Sequence, residues 1–485
     1  MIAQYIRDKQ LDAMRIAGRP VGGNNTPERR IPVANPFTQA VIGSVPKASL
    51  EQVRGAFAIA QAHQGRLTRF ERAAILNRAA AIVGQRGDEI AALISAESGL
   101  CIKDAVYEAG RVGDVLLFGA MEVLRDDGQI YSCDLTHHGR QRRVYTQRAP
   151  LLGVISAITP FNHPMNQVAH KVVPSIASNN RMVLKPSEKV PFSAILFADI
   201  LYQAGLPPEM LSIVTGDPRE IADELITNPQ VDLVTFTGGV AVGKYIAARA
   251  GYRRRVLELG GNDPIIVMED ADIDEASSLA VQGSYKNSGQ RCTAIKRMLV
   301  QHSVADAFVE QVLAKTRAWK HGDPLDRSND MGTVIDAAAA SFFQERVNEA
   351  VALGARLLLG NQRDGALYAP TVLDRVTPEM PLVREETFGP VSPIIRFKTI
   401  DEAIAIANGT AYGLSSAVCS NRLDYITRFI NELQVGSVNV REVPGYRLEL
   451  TPFGGIKDSG LGYKEGVQEA MKSFTNLKTY SLPWP

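Results

Sequence analysis

The spacing of hydrophobic positions changes several times along the chain, and the changes set out its organisation. From about residue 152, short apolar runs fall at 152–158, 181–185, 211–214, 231–236 and 255–259, with segments of helical period between them. Repeated strand–helix alternation predicts a parallel sheet with helices on both faces. A second alternation follows Asp263, with a helix over about 273–286, then strands and helices to about Val440. Upstream, Pro20, Pro27, Pro32, Pro36 and Pro46 predict an extended, loop-rich entry over 20–47. Helical patterning starts at Ser49, an N-cap residue type, and runs through Ala-rich stretches to about Ile94. A second helix, about Lys103 to Leu124, carries Val115, Leu116 and Phe118 on one face and projects Arg111. Residues 129–134 and 141–147 predict a hairpin around His138-Gly139-Arg140, and 472–482 also has strand character. A lone two-stranded ribbon is marginal in water, so the hairpin is expected to be completed by another subunit.

Composition narrows the function classes. A chain of 485 residues has room for two or three domains. A net charge of +1 with 45% hydrophobic residues gives no bulk attraction for nucleic acid or an anionic membrane. Residues 1–20 carry Arg7, Asp8, Lys9, Asp12 and Arg15 and lack the apolar stretch of a signal peptide. No run of about 18 apolar residues predicts a membrane span. Cys101, Cys133, Cys292 and Cys419 are far apart, with no CxxC pair and no His cluster nearby. That pattern predicts neither a zinc site nor a disulfide framework, and fits a reducing cytoplasm.

Candidate chemistry centres on Gly289-Gln290-Arg291-Cys292-Thr293-Ala294. A thiolate is a strong soft nucleophile, and Gly283 and Gly289 allow another backbone or a ligand to come close. A lone cysteine is more often a small buried hydrophobe. Its company argues otherwise. Pro160-Phe161-Asn162-His163-Pro164, Lys185-Pro186-Ser187-Glu188, Phe236-Thr237-Gly238-Gly239 with Gly243, and Leu257-Glu258-Leu259-Gly260-Gly261-Asn262 precede it. Glu385-Glu386-Thr387-Phe388-Gly389-Pro390 and Pro452-Phe453-Gly454-Gly455-Ile456-Lys457-Asp458-Ser459-Gly460 follow it. The Gly238-Gly239 turn lies between a strand and a helix, where backbone N–H groups attract phosphate, although such turns are common in α/β folds.

In this order and spacing the motifs resemble the NAD(P)-dependent aldehyde dehydrogenase superfamily over nearly the whole chain. The resemblance implies an α/β fold with a Rossmann-type NAD-binding domain (1–127 and 148–257) and an α/β catalytic domain (258–460). It also implies a β-hairpin oligomerisation arm (128–147 and 461–485), in which the hairpin pairs with the C-terminal strand supplied by Lys472 to Leu482 and builds a homodimer or homotetramer. It implies Cys292 as nucleophile and Glu258 as general base for thioester hydrolysis. Asn162 and the Cys292 backbone N–H would be the oxyanion donors. Relatives that pass the acyl group to coenzyme A lack the matching glutamate, so the acid is the expected product. For the cofactor it implies Lys185 and Glu188 at the adenine-side ribose. Gly238, Gly239, Val242, Gly243 and Leu259 would lie along the dinucleotide, with Glu386 and Phe388 at the nicotinamide end. The family often has Ser where this chain has Gly239. A carboxylate at Glu188 accepts from both ribose hydroxyls and repels a 2′-phosphate, so NAD is expected over NADP.

Arg111, Arg291, Arg447, His163 and Thr293 are the candidate substrate residues. Arg presents a planar fork to carboxylate or phosphoryl oxygens, and several cations at a dry site are costly unless an anion arrives. The alternative is a local ion pair for each arginine, such as Arg447 with Glu449 or Arg111 with Asp114. The combined pattern is similar to the phosphonoacetaldehyde dehydrogenase branch, which implies a small anionic aldehyde as substrate. A non-phosphorylating glyceraldehyde-3-phosphate dehydrogenase is the nearest rival.

Overall fold

The helical run that opens at Ser49 is three helices. Ser49 caps Leu50–Ala62 in a capping box with Gln52, each side chain accepting from the other's backbone N–H. The run breaks around Gly65 and restarts when Thr68 and Glu71 form a second box at the head of Arg69–Gln85. Gly87–Ser98 then ends at Gly99, whose φ of +77° is left-handed. An alanine-rich composition hides these breaks, because alanine favours helix without marking its ends. The computed structural model describes residues 2–22, 26–125, 128–462 and 465–484.

Two seven-stranded sheets form the body. In the first, β1 (Val154–Ile158), β2 (Met182–Lys185), β3 (Leu211–Ile213), β4 (Val231–Thr237) and β5 (Arg254–Glu258) run parallel in the order β5-β4-β1-β2-β3. The hairpin Met14–Ile16/Arg19–Val21 adds an antiparallel edge beside β3. Successive residues in these strands enter opposite cores. Ile155 and Ala157 join one apolar cluster and Val154 another, as Met182 and Leu184 do against Val183. Both faces are therefore covered, which is why the strands read as continuous apolar runs.

In the second sheet, β6 (Asp263–Val267), β7 (Ile295–Gln301), β8 (Thr371–Asp374), β9 (Val391–Phe397), β10 (Ser415–Cys419) and β11 (Ser437–Val440) run parallel in the order β8-β9-β7-β6-β10-β11. Again Ile265 and Val267 face one core and Ile266 the other. Three helices position the site: α1 (Ile102–Leu124), α2 (Asn166–Ala177) and α3 (Val240–Arg249).

The hairpin is Ile130–Ser132 and Arg142–Pro150, and the C-terminal strand Thr475–Pro483 pairs antiparallel along the whole of 142–150. The C-terminal segment thus supplies the hairpin's partner strand, as expected for the arm. Before that strand, the helix Val467–Ser473 buries Val467 in the core of the first sheet, as does Phe474. The expected domain boundary at 126–127 lies outside the described residues.

Candidate active site

The strand order of the first sheet reverses between β1 and β4. Ligands of open α/β sheets bind at such a switch point, beyond the carboxyl ends of the strands. The loop after β1 carries Asn162 and His163, and the turn after β4 carries Gly238 and Gly239. Lys185 ends β2 and Glu258 ends β5. The chain then crosses through Gly260-Gly261 into β6, so this edge of the first sheet meets the edge of the second where β6, β7 and β9 begin.

Along this edge the residues expected for a dinucleotide fall together. Gly239 is the N-cap of α3, and a Cβ built on it meets nothing within 4 Å. A serine would fit there without steric cost. At Gly243 a Cβ would come within 2.4 Å of Leu259 Cδ2, so a larger residue there would displace the Leu259 side chain. Val242 is exposed on the first turn of α3. Lys185 Nζ is buried, 3.2 Å from Glu188 and 3.0 Å from the Pro186 carbonyl. Burial pulls the Lys185 ammonium below its usual pKa, against the attraction of Glu188. Glu386 accepts from the Gly261 N–H at 3.1 Å, and the Phe388 ring meets Phe161 edge-on at 5.9 Å.

The nucleophile candidate follows an unusual backbone. Asn287, Ser288 and Gly289 have φ of 59°, 53° and 68°, three consecutive left-handed residues. Only the last is free of Cβ strain, and there a Cβ would strike the Gly389 carbonyl at 2.4 Å. Hydrogen bonds hold Asn287 in place. Asn287 Nδ2 donates to the Asn162 carbonyl at 2.9 Å, and the Asn287 N–H donates to Asp104 at 2.7 Å. The same asparagine thus ties the Asn162 loop to the Cys292 loop. Gln290 Oε1 accepts from the Ile335 N–H at 2.9 Å. Behind the cysteine, buried Lys296 donates to the carbonyls of Arg291 (2.8 Å) and Cys292 (2.7 Å) and pairs with Glu386 at 3.2 Å. Burial pushes the Cys292 thiol above its ordinary pKa, while Lys296 and Arg447 pull it down.

Beside this loop lies a cavity of about 200 Å³ with Arg111, Arg291, Arg447 and His163 on its wall. The candidate substrate cations therefore converge. Lys286 adds a cation, and Asp104 and Glu442 are the wall's acids; each accepts a backbone N–H, from Asn287 and Val443. Thr293 is buried, and its Oγ1 and Arg291 Nη2 both lie close against Gly445. Arg111 pairs with Glu449, not with Asp114, and Arg447 lies 3.7 Å from the same carboxylate. The local-pair alternative thus holds in part, but one acid serves two arginines. Among the described residues Arg291 has no ion-paired carboxylate, and burial and the charge of Arg111 both lower its proton affinity. His163 Nδ1 sits 3.3 Å from Glu108, whose other oxygen accepts the N–H groups of Met165 and Asn166 at the head of α2.

A family model described as Aldehyde dehydrogenase family matches residues 23–480. The chain belongs to the aldehyde dehydrogenase family. It is 37% identical to a 3-sulfolactaldehyde dehydrogenase of Priestia aryabhattai, over 94% of this chain and 96% of the relative. It is 36% identical to a sulfoacetaldehyde dehydrogenase of Neptuniibacter caesariensis, over 92% and 98%. Among solved structures, it superposes on an NADP-dependent glyceraldehyde-3-phosphate dehydrogenase from Bacillus halodurans C-125 complexed with NADP. The TM-score is 0.94 at 36% identity, over 98% of this chain and 99% of that one.

This aldehyde dehydrogenase uses several residues that no motif announced. Glu108, His170, Asn287, Lys296 and Glu449 contact other side chains or backbone groups, and their partners lie on other segments or are backbone groups, so they carry no spacing signal. Among the described residues, no group of three or more His, Cys, Asp or Glu could hold a metal ion, and no helix is long and apolar enough to cross a membrane. The raised thiol has a measurable consequence. Since only the thiolate attacks, iodoacetamide labelling of Cys292 is expected to keep accelerating above pH 9, past the midpoint of an ordinary thiol. Peptide mass spectrometry across a pH series checks this, and a rate already flat at neutral pH would contradict it.

Proposed function

We propose that this protein oxidises a small aldehyde with an anionic head, phosphonoacetaldehyde in the first place, to the acid, with NAD as cofactor. The observation that carries this reading is the one cavity shared by Arg111, Arg291, Arg447 and His163, with Arg291 adjacent in the chain to Cys292. Arg111, Arg291, Arg447 and Lys286 against Asp104 and Glu442 leave positive charge on the wall that a bound anion would neutralise. The relatives support the class. Sulfolactaldehyde and sulfoacetaldehyde carry a sulfonate close to the aldehyde, and a phosphonate presents the same three-oxygen face with a higher charge near neutral pH. Their names also make a sulfonate aldehyde the second reading.

Chemistry would begin with the Cys292 thiolate attacking the aldehyde carbon and forming a C–S bond. The carbonyl oxygen becomes an oxyanion, for which Asn162 and the Cys292 N–H are the donors. The bound nicotinamide supplies the hydride acceptor, and the carbon is left as a thioester on Cys292. Glu258 then takes a proton from water, the water oxygen adds to the acyl carbon, and the C–S bond breaks to release the acid. For the cofactor, the open edge at Gly239, the head of α3 and the Lys185–Glu188 pair would hold the phosphates and the adenine-side ribose. Glu188 is the reason for preferring NAD, since its carboxylate opposes a 2′-phosphate. The division into 1–127 with 148–257, 258–460, and 128–147 with 461–485 belongs to the same reading. So does assembly through the arm into a dimer or tetramer, supported by exposed Ile130, Tyr131, Leu135, Leu477 and Leu482 along it. Four free cysteines fit work in a reducing cytoplasm.

The test is a panel of phosphonoacetaldehyde, sulfoacetaldehyde, glyceraldehyde 3-phosphate, succinate semialdehyde and an uncharged aldehyde, each with NAD and with NADP. The expected order places phosphonoacetaldehyde first in kcat/KM and NAD above NADP. Arg291→Leu should lower kcat/KM for it by about 100-fold, the scale of lost charge-assisted hydrogen bonds, and barely change the uncharged aldehyde. Equal turnover of all five aldehydes would make the cations structural.

A further inference from the structure

Glu449 and His170 play no part in the chemistry above, and neither lines the cavity. Both are buried, behind two of its arginines. One Glu449 oxygen receives Arg111 Nε. The other lies 2.6 Å from His170 Nε2 and 3.7 Å from Arg447 Nη2. Contact through Nε fixes the plane of the Arg111 guanidinium and leaves its two terminal nitrogens for another partner. Arg447 is held by stacking and by the Glu449 carboxylate, with Nη2 merely adjacent to the His170 ring. Its guanidinium stacks 4.1 Å over Phe453, and Nη2 is 3.3 Å from His170 Nε2. Its Nη1 is buried with no hydrogen-bond partner.

His170 completes the arrangement as a hydrogen-bond donor. Its Nδ1 has no hydrogen-bond partner, so a charged ring would bury an unmet N–H. Burial and the charge of Arg447 lower its proton affinity, against Glu449 and Glu465. Glu449 in turn stays ionised. Burial alone would raise its pKa, but His170, Arg447 and Arg111 together hold it far below the usual carboxylate range. The carboxylate thus offsets one of three guanidinium charges and faces two of them toward the cavity.

We propose that Glu449, locked by His170, is the positioning residue that makes the arginine cavity selective for anionic aldehydes, by orienting Arg111 and Arg447 from behind. This rests on the anionic-substrate reading above. The experiment compares the unaltered enzyme with Glu449→Gln, Glu449→Asp and His170→Asn on phosphonoacetaldehyde, sulfoacetaldehyde and an uncharged aldehyde of similar size, with thermal unfolding as a check on the fold. E449Q is expected to raise KM for both anionic aldehydes at least about tenfold, the cost of a lost charge-assisted contact. Its kcat and its KM for the uncharged aldehyde should stay within about threefold. E449D should recover part of the loss, and H170N should show a smaller loss in the same direction. Where E449Q does not fold, H170N carries the test. An unchanged KM for the anionic substrates, or equal losses on charged and uncharged aldehydes, overturns the positioning role and leaves the substrate reading standing. An unaltered enzyme with no preference for anionic heads overturns the substrate reading, and the positioning role with it.

Discussion

Replacing Cys292 with alanine is expected to reduce aldehyde oxidation by about 10⁴-fold or more, since no other side chain can form the acyl intermediate. The fold should hold, because Cys292 is only partly buried and its loop is fixed by backbone carbonyls on Lys296 and by Asn287, not by the thiol. Thermal unfolding and cofactor binding should therefore match those of the unaltered enzyme. Residual activity within about tenfold of normal would place the nucleophile elsewhere. Loss of cofactor binding along with activity would instead indicate a collapsed loop.

A second large effect is expected at Glu258. Glu258→Gln removes a base while keeping the size and polarity of the side chain, so attack by Cys292 and hydride loss should continue. Water activation should slow by about 10²–10⁴-fold, the range general base catalysis supplies. The enzyme would then release one equivalent of reduced cofactor per site in a burst and stall as a thioester on Cys292. Intact-mass spectrometry during the stalled phase would show the added acyl mass. Normal steady-state turnover with no burst would exclude Glu258 as the base.

Much of the fold was legible because both sheets are covered on both faces. Ile265 to Val267 leave no polar position, and Val154 to Ile158 only Ser156, to interrupt the apolar run, so the strands stand out and the alternation with helices follows. The helix breaks near Gly65 and at Arg86 were less legible: the first restart depends on the Thr68 side chain meeting one backbone N–H, and the second has no side-chain cap at all. The C-terminal segment was legible as the arm's third strand, because its strand character matched the partner expected for the hairpin, but its register was not. Strand character at 472–482 is local, whereas the register Thr475↔Pro150 through Pro483↔Arg142 is set by the path of the whole chain. At the site, motifs located the cysteine, the glutamate and the glycines. Sequence spacing could not show that Arg111, Arg291 and Arg447 share a cavity, because they lie on three separate segments. Nor could it find Glu449 as a shared partner, since the acid beside Arg111 in the sequence is Asp114.

The double grip of Lys296 on the carbonyls of Arg291 and Cys292 constrains any attempt to retool the enzyme. The residue proposed to meet the head of the substrate and the residue that would attack its carbon are neighbours hung from one ammonium, which also reaches Glu386. Library positions at 291 or 293 would therefore disturb attack geometry and specificity together, and their effects should not combine additively. Positions 111 and 447 enter from other segments, so they are the places where head-group preference can be rewritten while the reacting sulfur keeps its place.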